Sequence, residues 1–238
     1  MTPVSPDRTS ASLRPSSPWV DISISALRTN LRAVVSTAAD AVIDVRADAW
    51  GHGVSEVARA ALDAGAAALL VDEHGVRALS HEVDHAALTL DRPAVAPDAV
   101  YGLSDGFRPV MSFRGRVSSV KRLRAGEGVS YGYTHRASRD TVVALVTGGY
   151  AQGVLRALGS AVSVSIGGIP HRVIGRVAMD VCVVDVGEAL VARGEEVVFF
   201  GDEDAGAPPL SEWSAATGLT PAELVTAIGL RNDREYVA

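Results

Sequence analysis

The period of the apolar residues changes once along this chain, near residue 105, and that change limits the folds open to it. Before it, short apolar runs alternate with segments of helical spacing. After it, β-rich runs follow one another, separated by Gly, Pro and Asp. Alternating strands and helices predict βα units around a parallel sheet buried on both faces. Successive short strands punctuated by turn residues predict an antiparallel β domain.

In the first part, "WVDISIS" alternates apolar and polar residues and then gives way to helical spacing, with Leu27, Leu31, Val34 and Val35 on one face. The run 42–48 reads as a buried strand ending in a Gly-His-Gly turn, followed by a helix from about Val54 to Ala64 with Gly65 as its stop. A second strand over 66–73, a helix through "HGVRALSHEV" and a third strand over 86–92 complete about three units. A closed eight-unit barrel takes roughly 250 residues, so any barrel here is incomplete. In the second part, Thr220-Pro221-Ala222-Glu223 forms a capping box with proline at the first helical position. The boundary falls in "LSDGFR" at 103–108. The expected organisation is a leader over 1–18, a barrel-like α/β domain over 19–106 and a β domain over 107–238.

The leader is rich in Ser, Pro and Thr and lacks an apolar h-region, so it reads as disordered rather than as a signal peptide. No apolar run approaches the roughly 18–20 residues of a bilayer span. The formal charge of -6 argues against a nucleic-acid partner, which needs a basic face. One cysteine, Cys182, excludes an intrachain disulfide and fits a reducing, cytoplasmic setting. Of 22 basic residues only Lys121 is a lysine, so chemistry that needs a lysine amine has one candidate.

Six segments, in register, carry a resemblance. "VRADAWGHG" resembles V-K-A-[ND]-A-Y-G-H-G, and "ISISALRTNL", "VKRLRAGEGVSYG", "GGYAQGVLRAL", "IGRVAMDVCVVDV" and "RNDREYV" follow in the matching order. Together they are similar to the alanine racemase family, fold-type III and dependent on pyridoxal phosphate. The resemblance implies a barrel joined to a β domain. It also implies a homodimer whose sites combine one chain's barrel mouth with its partner's second domain.

The departures bear on the chemistry. Arg46 stands where the family has the lysine that forms an imine with the cofactor. A guanidinium stays protonated and cannot serve as that nucleophile. Trp50 replaces a phosphate-binding tyrosine, and Gln152 replaces the aspartate of G-Y-A-D-G. Aligning "RPAVAPDAVYG" with the segment that closes the family's barrel gives Arg92 the place facing the cofactor ring. These losses lead to the expectation of no cofactor.

By the resemblance, Tyr131 is the second acid/base and Tyr150 lies near the substrate. Met179 and Asp180 line the substrate pocket, with Arg176 as a pocket cation. His52 follows the strand bearing Arg46 and sits where α/β folds place their mouths, although it also fits a purely architectural role. His74, His81 and His85 lack metal-ligand spacing, and no metal is expected. Three functions stay open. One is pyridoxal-independent acid/base chemistry on a small carboxylate or amino-acid-derived substrate, in specialised metabolism, with Arg46 and Tyr131 catalytic. The second is a non-catalytic protein binding a ligand or partner, and the third is a racemase with atypical cofactor binding. Arg46 bound to an anion favours a pocket, whereas Arg46 paired with Asp44 or Asp48 favours a structural plug.

Overall fold

The computed structural model describes residues 17–38 and 40–238. The expected leader therefore lies outside the described residues, apart from its last two. Strand β1 (Trp19–Ser23) opens the fold and passes into the helix Ile24–Thr37, where the Ser23 hydroxyl accepts from the Ala26 N–H and caps the first turn. Strands β2 (Val42–Asp44), β3 (Ala68–Leu70) and β4 (Leu88–Thr89) form a parallel sheet in that order. The helices Val54–Asp63 and Glu73–Leu79 connect them, as the change of period predicts.

Of the incomplete barrel expected, the described residues form a parallel sheet of three short strands that does not close, with Ala94 packed against the cluster of Val42, Ala68 and Leu70. One expectation needs correction: the run 42–48 is not one strand, because pairing stops at Asp44 and the chain turns sharply at residue 46.

The second part is the larger. Strand β5 (Met111–Leu123) is thirteen residues long. After the small ribbon β6 (Gly128–Val129) and β7 (His135–Arg136) come β8 (Thr141–Thr147), β9 (Ser163–Ile166), β10 (Ile169–Ile174), β11 (Val181–Gly187) and β12 (Glu196–Phe200). The pairings run β5–β8–β11–β10–β9–β12 and return from β12 to β5, all antiparallel, so six strands close on themselves. Closure satisfies strand edges that an open sheet would expose. Trp213 sits edge-on to Phe113, Phe199 and Phe200, with ring centroids 5.2–6.4 Å apart, and joins the helix Leu210–Thr217 to this core.

The two parts interlock through the chain's ends. β1 pairs antiparallel with β5 and parallel with the last strand, β13 (Asp233–Val237), so the first strand belongs to the large sheet. Asn30, buried in the first helix, donates to Val100 and Arg108 carbonyls and accepts from the Arg108 N–H. The helix Pro221–Gly229 starts with the predicted capping box, Thr220 and Glu223 capping each other. Among the described residues, no helix is long and apolar enough to cross a membrane.

Candidate active site at the mouth of the parallel strands

The C-terminal ends of β2 and β3 carry a set of charged contacts around Arg46 and the turn after it. After Asp44 the chain makes one left-handed turn: Ala47, Asp48, Ala49 and Trp50 have φ of 51 to 55°. Each such residue costs about 1–2 kcal/mol relative to a right-handed conformation. Strain of this kind persists only where surrounding structure fixes it. The Ala47 N–H donates to Asp72 Oδ2 (2.9 Å), and Asp72 Oδ1 accepts from Gly75 N (2.7 Å), capping the next helix. Asp48 Oδ1 accepts from Val54 N (2.8 Å), and its other oxygen pairs with Arg234 of β13 (2.5 Å). Gly53, at φ +96°, lies directly against the Tyr236 hydroxyl, where any Cβ would collide.

Arg46 opens this turn. Its Nε and Nη2 donate to the two oxygens of Asp44 (2.9 and 2.6 Å), and its backbone N–H donates to Asp44 Oδ1 (3.1 Å). Half of the Arg46 side chain is exposed, while Asp44 is 4 % exposed. The hydrogen bond to Asp44 raises the guanidinium pKa further above its ordinary value. Asp72 is held below the usual carboxylate range. Partial burial opposes this, and the N–H groups of Ala47 and Gly75 outweigh it.

His52 is turned into the protein interior. It is fully buried, stacked on Tyr101 (4.4 Å between centroids), with Nδ1 within 3.0–3.1 Å of the Ala49 and Trp50 carbonyls. Burial lowers its pKa to about 4. The Tyr101 hydroxyl donates to the Asp44 carbonyl (2.7 Å). Trp50 is half-buried, and its indole nitrogen is buried with no acceptor in place. Arg92 is exposed beyond β4, with its backbone N–H on Thr89 Oγ1 (3.3 Å).

The remaining expected residues gather on the β domain's rim. Tyr131 is 72 % exposed and Met179 54 %. Tyr150 lies under the Arg156 guanidinium, 4.8 Å from ring centroid to Cζ. Its backbone and that of Ala151 donate to Ala178 and Met179 carbonyls. Asp180 accepts from Gln152 Nε2 (3.2 Å), and Arg176 has an exposed side chain with its backbone N–H on Ser130 Oγ (2.7 Å). Lys121 is exposed on β5. Within one chain the expected residues thus form two groups, at the strand mouth and on the rim. Asn232 donates to the Gln152 carbonyl (2.9 Å), tying the rim to the segment before β13.

Sequence reasoning named Asp44 and Asp48 as possible partners of Arg46 and missed Asp72, Tyr101, Arg234 and Tyr236. A signal existed for two of them, because Arg234 and Tyr236 lie in "RNDREYV". Asp44 and Arg46 are spaced i, i+2, which puts side chains on one face of an extended segment.

Residues 110–236 match the family described as alanine racemase, C-terminal domain. The alanine racemase of Salinispora arenicola is 38 % identical over 205 residues, covering 81 % of this chain and 55 % of that protein. The chain spans about half the length of the curated relatives it matches. Among solved structures, the alanine racemase of Streptomyces lavendulae superposes with a TM-score of 0.84 at 24 % identity, over 94 % of this chain and 98 % of that one, a likeness of fold. The alanine racemase of Bartonella henselae, at 16 % identity and TM-score 0.77 over 94 % and 100 % of the two chains, was solved with covalently bound pyridoxal phosphate.

The last finding corrects the expectation of a cofactor-free protein, since the fold to which this chain matches houses pyridoxal phosphate. The residues present do not fit its covalent attachment: position 46 offers a protonated guanidinium already forked onto Asp44. With more than half of its residues inside the family's C-terminal domain, the chain belongs to the alanine racemase family.

Proposed function

We propose that this protein binds a small carboxylate or amino-acid-derived molecule at the mouth of its parallel strands, with Arg46 holding the carboxylate. Arg46 pairs with Asp44, as a structural plug would, and the reading rests on the N–H donors that this pairing leaves on an exposed side chain. Asp44 takes two of the guanidinium's five N–H donors and leaves three on a half-exposed side chain. A guanidinium already fixed in place loses little freedom when it binds an anion. The three parallel strands are read as the remnant of the family's barrel, within a functional division of the chain at residues 106 and 107. Two copies associate, and the rim of one, with Tyr131, Tyr150 and Met179, faces the Arg46 mouth of the other. The exposed Tyr131, Tyr133 and Met179 support this, because clustered exposed apolar side chains mark interaction surfaces. Pyridoxal phosphate belongs among the ligands to test, because a solved relative carries it; a bond through residue 46 is not open to it.

A second reading, proton transfer on the bound molecule by Tyr131, is favoured by the exposure of its phenol at the rim. Calorimetric titration of the protein and of Arg46→Gln with alanine enantiomers, simple carboxylates and pyridoxal phosphate tests the main reading. At least one ligand should saturate the native protein and bind Arg46→Gln about tenfold or more weakly. Equal affinity, or no binding by any of them, would overturn it. Sedimentation of the same samples should give a dimer, and a monomer removes the shared site from the account.

A further inference from the structure

The exchange of lysine for arginine is only half of what separates this mouth from covalent chemistry. The other half is Asp44. Its carboxylate is almost fully buried, ends the strand that leads into the turn, and faces residue 46 with both oxygens. The backbone N–H of residue 46 adds a third bond to the same group, independent of the side chain. The backbone of Asp44 is fixed as well, because the buried Tyr101 hydroxyl donates to its carbonyl. The carboxylate therefore stands beside residue 46 whatever cation that residue carries.

We infer that Asp44 is the positioning residue that keeps any amine or guanidinium at position 46 protonated and turned aside, so that restoring lysine alone does not restore a nucleophile. A buried carboxylate within 3 Å favours the charged form of its partner. An ammonium has no lone pair with which to attack a carbonyl carbon. Removing the negative charge at position 44 while keeping its shape should release the amine. The inference rests on the Asp44–Arg46 geometry alone and not on any ligand, so it stands or falls separately from the proposed function.

The chain's poverty in lysine makes the test clean. Arg46→Lys introduces a second lysine beside Lys121, which is exposed on β5 and serves as an internal reference. Reductive methylation with labelled formaldehyde gives each amine its own carbon resonance, which reports its titration. In Arg46→Lys the introduced amine should titrate no lower than Lys121. In Asp44→Asn/Arg46→Lys it should fall by about one unit or more. Equal titration in the two variants overturns the inference, as does an introduced amine well below Lys121 in the single variant. Should the double variant not fold, Asp44→Asn alone decides the matter. Its Arg46 Nε–H should exchange with water about tenfold faster than in the native protein, and unchanged exchange overturns the inference.

Discussion

At the scale of single residues, the decisive features are charges and buried polar groups placed next to strained backbone. His52 shows how such a group is used. Its ring fills the space between the left-handed turn and Tyr101, and burial holds it neutral. Its pKa of about 4 lies below the ordinary 6.5. The unfolded chain therefore binds this proton more readily than the folded one between those values. Stability from His52 is complete above pH 6.5 and is lost as pH falls toward 4, by about 3 kcal/mol in all. Proton NMR of the His52 ring should show neutral imidazole down to the acid transition. A midpoint near 6.5 in the folded protein would contradict the burial described. The family resemblance suggested an architectural role for His52. It could not reveal the stacking on Tyr101, which comes from a helix some fifty positions away.

At the scale of elements, the turn over residues 46–50 is the informative one. A sequence reading extends β2 through residue 48, because its apolar run continues up to the Gly-His-Gly turn. Tertiary contacts override that reading: Asp72 and Arg234 take the turn's polar groups, and Gly53 lets Tyr236 lie against the loop. Neither partner is near in sequence, so nothing local announces the turn. Local signals did suffice for two helix ends. Thr220–Glu223 marks one start correctly, and Gly65 lies just past another end. Asp72 joins two elements, capping the helix Glu73–Leu79 and the strained turn at once. Asp72→Ala should therefore cost about 1–2 kcal/mol or more in urea unfolding, at least the value of a lost helix cap. A loss within 0.5 kcal/mol would show that the turn is held without it.

At the scale of the whole molecule, the single change of apolar period near residue 105 foretold two architectures, and both are present in altered form. The β domain closes into a six-stranded ring, while the parallel unit, expected as an incomplete barrel, is an open three-stranded sheet. The number of βα units was legible. The role of the chain's ends was not, because β1 leaves the parallel unit to pair with β5 and β13. That pairing brings Arg234 and Tyr236 to the mouth and makes the candidate site a joint product of both ends of the sequence. The candidate residues came from the family resemblance, and which of Asp44 and Asp48 pairs with Arg46 needed coordinates. The central claim is that Asp44 fixes Arg46 as an anion-holding group. It is tested most directly by following the Arg46 Nε–H resonance, assigned by its loss in Arg46→Lys, during titration with small carboxylates and pyridoxal phosphate. The account predicts a slowly exchanging signal in the free protein that shifts saturably with at least one of these ligands. A slowly exchanging signal that none of them moves would contradict it and leave the pair as a structural plug.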